Sequence, residues 1–508
     1  NLTNNGEILI DAGASFTNLL VEGDTTLGGT GTLVMADTTR SRLYASGDPT
    51  LLTNAAGHTI RGAGGIGDIG GNLLGLRNEG LIDADGDTAL TIKPIADLDP
   101  SVNTGTLRAS GAGGMVLETA QFDNQGLVEA VNGSSVVYDS SATALNNQTG
   151  TLTGGTWRSA GNGSTIEIQG DAVTDNAAEI VLEGAGSVFR SRTDISTVTA
   201  LEESLTTNQS AGTLRILDNR DYTTSNDLSN AGLLQLGGGT LGANSLTNTA
   251  TGTLTGYGTV DPRPVNSGLI EATGGTLTMT GGIQGGSGTV TIQPDGALDL
   301  SSATQDSSAD FLNHQGTASD SLNLGSNDFI VSEDYTNASF GEGNAFDARA
   351  NVVGTGEIVG ENAAMSITGD VTSAGANTVT LDLGNVRGGT STTVDYQVAN
   401  SGTGADIRGA VQTTAGTGNI TDTRLSGTGV TAQNFGPIAA GADSGDLSVT
   451  FNATSGGSLD GQTIGVVSNF DNVEGQTIQI TGMATVLAVG SATPAGPINL
   501  GNFRVGLD

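Results

Sequence analysis

Asn266-Ser-Gly-Leu-Ile-Glu-Ala-Thr-Gly-Gly-Thr-Leu-Thr-Met279 is the stretch that decides how this chain folds. It opens with an Asn-x-Gly turn, and apolar and polar residues then roughly alternate until a glycine pair interrupts them. Alternation with a period of two residues, bounded by turn residues, indicates short strands joined at a corner. Glycine is expected at these turns because a tight corner often needs a positive φ, which glycine reaches without steric cost.

The same pattern, a glycine followed two residues later by an apolar residue, recurs through the first 300 residues of the chain. It falls at Gly6, Gly31, Gly57, Gly80, Gly105, Gly126, Gly150, Gly212, Gly232, Gly252, Gly268 and Gly288, with the apolar residue one position later at Gly57, where it is Ile60. A repeat of this length, made of strands and turns, indicates coils stacked on one another. One coil cannot bury its apolar face alone, so apolar side chains should form columns inside the stack. We expect Leu233, Leu254, Leu269 and Leu277 to point inward.

The composition limits what the chain can bind. Its 508 residues include 53 Asp and Glu but only 17 Lys and Arg, for a formal net charge of −36. A nucleic-acid ligand is not expected, because no basic surface is present to neutralise phosphates. No apolar stretch reaches the length of a membrane span. The absence of cysteine fits either a cytosolic protein or a surface protein that avoids thiols.

The pattern changes twice along the chain. After about residue 300 the repeat loosens and aromatic residues come close together, which predicts a cap or transition region over residues 301–376. Alternating strands separated by turns then predict a β-sandwich over residues 377–492. Leu383-Gly-Asn-Val-Arg387 returns as Leu500-Gly-Asn-Phe-Arg504, so residues 493–508 are expected to be the first strand of a further module. The chain also begins inside a repeat, so we expect a processed or partial chain.

The repeats resemble known families. The Asn-x-Gly turns, together with Leu246-Thr-Asn-Thr-Ala-Thr-Gly-Thr-Leu-Thr-Gly-Tyr-Gly-Thr-Val260, resemble the right-handed parallel β-helices of autotransporter passengers and filamentous-haemagglutinin-like adhesins. Residues 377–490 resemble the immunoglobulin-like modules of large bacterial surface proteins, through the Leu-Gly-Asn-Val-Arg-Gly-Gly stretch and Val398-Ala-Asn-Ser-Gly402. The resemblance implies an all-β protein, a right-handed parallel β-helix over residues 1–300 followed by an immunoglobulin-like β-sandwich. It also implies display on the surface of a Gram-negative bacterium, and it carries over no catalytic residue.

Candidate catalytic residues are sparse. The two histidines, His58 and His314, lie far apart in the sequence, whereas a Ser-His-Asp site needs one histidine between a nucleophile and a carboxylate. A polysaccharide-cleaving enzyme would need carboxylates paired across a groove or a basic residue beside them. The local candidates are the segment Asp218-Asn-Arg-Asp221 and Lys93 with Asp97 and Asp99. Charged loops are usually solvated rather than catalytic, so we do not expect an enzyme.

One acidic segment resembles a metal-binding loop. Asp83, Asp85 and Asp87 place carboxylates at alternate positions, as the start of a calcium-binding loop does, but the terminal glutamate of an EF-hand is missing. Calcium is therefore the candidate cation at these three residues, and a polar corner without a cation is the alternative. No other cofactor is expected.

These observations lead to a prediction of function. We expect an extracellular structural or adhesive protein of a bacterial cell surface, which assembles with itself into filaments or a matrix or binds host or cell-surface glycans. Direct insertion of this segment into a membrane is not expected. The alternative is a surface β-helix that binds or cleaves polysaccharide. A long concave face with facing carboxylates and an aromatic platform would favour the alternative, and a smooth rod with threonine and asparagine ladders would favour the first function.

Overall fold

The structure is a computed structural model, and it describes residues 1–67, 74–95, 101–118, 121–139, 144–194, 196–303, 305–306, 308–313 and 321–486. Within these ranges the chain is all-β, and long parallel sheets dominate it. This arrangement is compatible with the expected parallel β-helix. The predicted module over residues 493–508, together with His314, Asp97 and Asp99, lies outside the described residues.

The described residues before position 361 form forty strands, which are numbered here in chain order. The first eighteen are β1 Leu2–Thr3, β2 Glu7–Ile10, β3 Thr17–Val21, β4 Thr25–Gly28, β5 Thr32–Met35, β6 Ser41–Ala45, β7 Thr50–Asn54, β8 Thr59–Gly62, β9 Gly64–Ile66, β10 Leu74–Asn78, β11 Leu81–Ala84, β12 Leu90–Ile92, β13 Ser101–Asn103, β14 Thr106–Ala109, β15 Met115–Leu117, β16 Phe122–Asn124, β17 Leu127–Val131 and β18 Ser135–Tyr138. The next seventeen are β19 Asn147–Gln148, β20 Thr151–Ala160, β21 Thr165–Gln169, β22 Asp175–Glu183, β23 Val188–Arg192, β24 Val198–Ala200, β25 Thr207–Asn208, β26 Thr213–Leu217, β27 Tyr222–Thr223, β28 Asp227–Asn230, β29 Leu233–Gly242, β30 Ser245–Asn248, β31 Thr253–Val260, β32 Val265–Asn266, β33 Leu269–Met279, β34 Thr289–Ile292 and β35 Ala297–Asp299. The last five are β36 Ser308–Asn313, β37 Leu322–Asn323, β38 Phe329–Asn337, β39 Val352–Val353 and β40 Ile358–Gly360.

Helical structure is scarce between these strands. The segment 196–208, which the sequence predicts as either a short helix or a loop, contains the single-turn helix α1 Leu201–Ser204. A short 3-10 helix occupies Gly343–Ala345. The rest of the connections are turns and extended segments, as expected from the glycine content.

From β1 to β18, successive strands of one repeat belong to different sheets, and each strand pairs in parallel with its counterpart one repeat later. Two later strands, β19 and β24, instead pair antiparallel with β20 and β23. In the first repeats, β1, β2 and β3 pair with β4, β5 and β6. The central column of strands is the longest, and every neighbouring pair in it is parallel: β2, β5, β8, β11, β14, β17, β20, β22, β26, β29, β31, β33, β34, β36, β38 and β40. We call residues 1–360 the parallel region.

One row of buried residues, with one member from each strand of the central column from β5 to β38, lines the inside of this column. In register these are Leu33, Ile60, Ile82, Leu107, Val128, Trp157, Ile180, Leu214, Leu234, Leu254, Ile270, Val290, Phe311 and Tyr335. All of them are buried. The second residue after a repeat glycine therefore faces inward, except at Gly57, where the inward residue Ile60 is the third, and the residues between point outward because side chains alternate between the two faces of a strand.

The same alternation corrects part of the predicted core. Leu254 and Leu277 are fully buried, as predicted. The prediction that Leu233 and Leu269 point inward is wrong, since both are half-buried on the outer face. Each is the first residue of its strand and lies one position before the residue that enters the core. Neighbouring side chains on a strand point to opposite faces, so a prediction that is wrong by one position places the side chain on the wrong face.

The Asn-x-Gly glycines, with the exception of Gly6, where a Cβ atom would meet nothing within 4 Å, are required for a reason different from the expected one. Gly80, Gly232 and Gly268 do not have positive φ values, although Gly274 in the interrupting pair does, with a φ of 74°. A Cβ atom at Gly232 would lie 2.1 Å from the carbonyl oxygen of Gly212, and one at Gly268 would lie 2.2 Å from the oxygen of Gly252. These glycines therefore permit close stacking of neighbouring repeats, and backbone handedness does not select them.

The remaining strands form two largely antiparallel sheets. They are β41 Met365–Gly369, β42 Val371–Gly375, β43 Thr378–Arg387, β44 Ser391–Asn400, β45 Ile407–Gln412, β46 Leu425–Ser426, β47 Gln433–Ile438, β48 Leu447–Asn452, β49 Gly457–Ser458, β50 Gln462–Ser468 and β51 Gln476–Thr485. One sheet has the order β41-β44-β48-β46, and the other has the order β42-β43-β51-β50-β45-β47. β43 and β51 are an exception, because they pair in parallel. We call residues 365–486 the antiparallel region.

A loop of the antiparallel region covers the last strand of the parallel region. The backbone N–H of Ile358 donates to the Asp471 carboxylate (2.8 Å), and the N–H of Gly360 donates to Asn472 Oδ1 (2.9 Å). Asn472 Nδ2 donates back to the Gly360 carbonyl (3.0 Å), and the Phe470 ring lies where a Gly360 side chain would be. These side chains take the place of a further strand, so the edge of β40 is not left open.

The aromatic residues of the predicted cap come together beside this loop. Phe311 packs against Phe329 and Tyr335 with ring centroids 4.5 and 5.1 Å apart, and Phe340 packs against Phe346 at 4.5 Å. The parallel pairing of the central column passes residue 300 without a break and ends at Gly360. The division into domains at residues 300, 376 and 492 stays a prediction.

Candidate functional site

The three candidate calcium ligands lie at the end of β11 and in the turn after it. Asp83 is buried and accepts hydrogen bonds from Arg108 (Nη2, 2.6 Å) and Ser110 (Oγ, 2.8 Å). Asp85 forms an ion pair with Arg61 at 2.9 Å. Asp83 and Asp85 are thus each bound to an arginine.

The turn that carries Asp87 is held by another carboxylate. The backbone N–H groups of Asp87 and Thr88 donate to Asp37 at 2.9 and 2.8 Å, and these two hydrogen bonds lower the pKa of Asp37. Asp37, Asp85 and Asp87 line a shallow depression of about 290 Å³ together with Arg61. Across the described ranges, no three His, Cys, Asp or Glu side chains are grouped so that they could hold a metal ion. Calcium at Asp83, Asp85 and Asp87 stays a prediction.

Asp83 belongs to a column of alternating charge on the outer face of the central column of strands. Arg61, Asp83, Arg108, Glu129 and Arg158 follow one another in register on β8, β11, β14, β17 and β20. Arg108 pairs with Asp83, and Arg158 pairs with Glu129 at 2.8 Å. The hydrogen bond with Asp83 raises the pKa of Arg108. Each charged side chain lies beside an opposite charge of the next repeat, so this column joins repeats. It does not bring together charges of one sign that could attract a ligand.

The candidate residues for polysaccharide cleavage are also engaged in local contacts. Asp221 accepts a hydrogen bond from the backbone N–H of Thr240 (2.8 Å), and Arg220 forms an ion pair with Glu202. Lys93 forms an ion pair with Glu118 at 2.9 Å. This arrangement does not resemble two carboxylates that face each other across a sugar-binding groove.

Two buried columns of asparagine run through the parallel region. The first contains Asn54, Asn78, Asn103 and Asn124, and the second contains Asn176, Asn208, Asn230, Asn248 and Asn266. Within a column, each Nδ2 donates to Oδ1 of the next asparagine at 2.8–2.9 Å. The same Nδ2 donates to a backbone carbonyl of the next repeat, as Asn78 does to Thr106 at 3.0 Å. The sequence marks only those that open an Asn-x-Gly turn, such as Asn78, Asn124, Asn230 and Asn266, as turn residues, but the structure shows that the asparagines of both columns link one repeat to the next.

His58 extends the first asparagine column across a repeat that has no amide side chain at this level. The column would continue from Asn54 to Asn4, but the intervening residues are Leu27, Gly28 and Gly29. His58 Nδ1 lies 2.8 Å from Asn54 Oδ1, and Nε2 lies 3.3 Å from Asn4 Nδ2. Asn54 Nδ2 already donates to Asn78, so Asn54 Oδ1 must accept from Nδ1 and Nε2 must accept from Asn4. A neutral imidazole, with one donor and one acceptor, thus replaces an asparagine.

We expect acid to loosen the first repeats through His58. Burial lowers the pKa of His58 below its usual 6.5, so the unfolded chain binds the proton more readily than the folded chain. This contribution to stability is complete above pH 6.5 and is lost as the pH falls below that value. Protonation would also place an N–H of His58 against the Asn4 amide donor.

Nuclear magnetic resonance titration of the His58 ring measures this effect, with His314→Gln to remove the other histidine signal. The His58 resonance should titrate below the usual midpoint, and exchange of β1 and β2 amide hydrogens should accelerate over the same pH range. A His58 midpoint at or above 6.5 would contradict the assignment of a neutral ring.

Comparison with other proteins does not identify a relative. Searches against protein-family models, curated proteins and solved structures found no match. In the part of the chain that the structure describes, no helix is long and apolar enough to cross a membrane.

Proposed function

We propose that this protein is an extracellular structural or adhesive protein of a bacterial cell surface. In this proposal the parallel region is a right-handed β-helix rod, and the antiparallel region is an immunoglobulin-like spacer. The observation that carries the proposal is the central column of sixteen strands, which pair in parallel without interruption from Glu7 to Gly360. Such a column makes a long particle with a repeated surface, which suits a spacer or a scaffold.

The side chains around the central column support a structural role. Buried asparagines join successive repeats from within, and the alternating charges from Arg61 to Arg158 join them on the outer face. Asp471 and Asn472 bind the last strand of the parallel region, so the rod continues into the spacer through hydrogen bonds. These contacts favour a stiff connection between repeats over a site that changes shape around a substrate.

Small-angle X-ray scattering of the purified chain tests the proposed rod. Sixteen strands at about 4.8 Å spacing predict a parallel region about 70 Å long, to which the antiparallel region adds its own length. We expect the distance distribution of an elongated particle, with a tail well beyond its main peak. A symmetric distribution, as a compact sphere produces, would contradict the proposal.

The proposed mode of action is self-association into filaments or a matrix, with binding to host or cell-surface glycans as the other candidate interaction. Sedimentation velocity over a wide range of concentration separates an assembling protein from a monomer. Assembly predicts a sedimentation coefficient that rises with concentration, and a single monomer species throughout would exclude filaments. A calcium chelator should dissociate the assembly only if Asp83, Asp85 and Asp87 hold calcium, and Asp87→Asn should then have the same effect as the chelator.

A further inference from the structure

A cavity lies where the parallel and antiparallel regions meet, and we call it the junction cavity. Its volume is about 270 Å³, and its walls are Thr336, Asn337, Phe340, Phe346, Arg408, Asn434, Phe435 and Gly436. Small-molecule sites usually occupy ~300–1,000 Å³, so this cavity fits one small ring better than a long ligand. Three aromatic rings in one cavity are notable in a chain with only 4% aromatic residues.

Arg408 supplies a fixed polar group to the junction cavity. Its Nε and Nη2 donate to the two oxygens of Asp334 at 2.8 and 2.7 Å, and its backbone N–H donates to Asn469 at 3.0 Å. Nη1 has no hydrogen-bond partner among the described residues, and it is not buried. One edge of the guanidinium group is therefore held by Asp334, and Nη1 on the other edge is available to a ligand.

Asn434 supplies a second donor. Its Oδ1 accepts a hydrogen bond from the backbone N–H of Gly343 (2.8 Å), which fixes the orientation of the amide. Nδ2 makes no hydrogen bond to any residue that the structure describes, and it is also accessible. The Thr336 hydroxyl is a third polar group on the wall of the cavity, and it can donate or accept.

Aromatic rings form the apolar part of the same cavity. Phe340 and Phe346 pack together with centroids 4.5 Å apart, and Phe340 is half-buried. The Phe435 ring lies against Gly409, where a Cβ atom would come within 2.5 Å of the ring, so a side chain at residue 409 would displace it. A second cavity of about 280 Å³ adjoins the first and shares Asn434, Phe435 and Gly436 with it.

We propose that the junction cavity binds a neutral hexopyranose unit of a glycan. A sugar ring presents an apolar face of C–H groups, which would pack on Phe340 and Phe435, and a rim of hydroxyls, which would bind Arg408 Nη1 and Asn434 Nδ2. Mixed aromatic and planar polar walls suit this chemistry, because they bury the apolar face and satisfy the hydroxyls. The adjoining cavity beyond Phe435 would receive the next sugar of the chain.

The charges near the cavity argue for a neutral sugar. The positive charge of Arg408 is already neutralised by Asp334, and Asp406 is close enough to interact electrostatically with both. The chain as a whole carries a formal charge of −36. A sugar with a carboxylate or sulfate group would therefore be repelled, whereas hydroxyls bind without a charge penalty.

Saturation-transfer nuclear magnetic resonance tests this proposal with the methyl glycosides of glucose, galactose and mannose, and with methyl glucuronide as the charged comparison. We expect transfer from the protein to the ring C–H protons of at least one neutral glycoside. Phe435→Leu and Thr336→Val should each weaken its binding, by tenfold or more for Phe435→Leu. Tyr257→Ala removes an exposed ring of the parallel region and should leave binding unchanged.

Three outcomes would overturn the proposal: no transfer to any neutral glycoside, tighter binding of methyl glucuronide, or full binding by Phe435→Leu. Each variant is checked for an unchanged melting temperature, so that a loss of binding reports on the cavity. The scattering and sedimentation results do not depend on this cavity. A failure of sugar binding would therefore leave the proposed structural function standing. A compact particle that still binds sugar would contradict only the structural function and not the sugar site.

Discussion

Replacing Leu277 with aspartate should unfold the parallel region or lower its stability severely. Leu277 is fully buried, and its register partners are Gly258 on β31 and Leu298 on β35. A carboxylate at this position would have no cationic partner in its column, and an unpaired buried charge costs at least about 3–5 kcal/mol. Thermal and denaturant melts of Leu277→Asp should show this loss, and amide hydrogen exchange should accelerate first in β31, β33 and β35.

Leu269→Asp is the matched control, because it introduces the same charge on the same strand. Leu269 is half-buried on the outer face of β33, so its carboxylate would remain hydrated. We expect a change within about 1 kcal/mol, as for most surface substitutions. Equal losses in the two variants would show that the register of β33 is wrong, and no loss in either would show that this strand does not enclose a core.

The repeat itself could be predicted from the sequence, because the alternation of apolar and polar residues and the glycines at the corners are local signals. The residue two positions after the repeat glycine is buried at Leu234, Leu254 and Ile270. Strands such as β43, β44 and β48 are present where alternation over residues 377–492 predicted strands. The face of single leucines was harder to predict. Leu269 and Ile270 are both apolar, and only the pairing of β33 with its neighbours decides which of them enters the core.

Contacts between repeats could not be predicted, because their partners lie far apart in the sequence, by 24 residues for Arg61 and Asp85 and by 25 for Asp83 and Arg108. The pairing register depends on both segments and cannot be derived from either one alone. The sequence marks Asp83, Asp85 and Asp87 as a local acidic loop, yet Asp83 binds Arg108 and Asp85 binds Arg61. For the same reason the sequence did not show that His58 links Asn54 to Asn4.

The junction cavity depends on contacts over a still longer range. Arg408 and Asp334 are separated by 74 residues, and Gly343 and Asn434 by 91. No periodicity in the sequence connects these positions. An aromatic cluster before residue 350 was visible in the sequence, but its contact with Phe435 and Arg408 arises only when the two regions pack together.

Replacing Asn230 with leucine should break the second asparagine column and cause the other large loss of stability. Asn230 Nδ2 donates to Asn248 Oδ1 (2.8 Å) and to the Thr253 carbonyl (3.1 Å), and Asn230 Oδ1 accepts from Asn208 (2.8 Å). Leucine has a similar size but would leave these buried groups without a partner, at about 1–3 kcal/mol for each orphaned group. Asn244→Leu, at an exposed asparagine that binds Asp227, should cost far less in the same denaturant melts.

Asn230→Asp separates the loss of hydrogen bonds from the loss of shape, because aspartate has nearly the same outline as asparagine. A carboxylate at residue 230 would face Asn248 Oδ1 without a proton to donate, so burial and this contact should raise its pKa. A group with a raised pKa destabilises the fold as the pH rises through that pKa, so the deficit of Asn230→Asp relative to the parent should shrink in acid. Denaturant melts of both proteins at matched pH values measure this deficit. If the deficit is the same at every pH, the asparagines of the column stabilise the stack through their shape and not through hydrogen bonds between repeats.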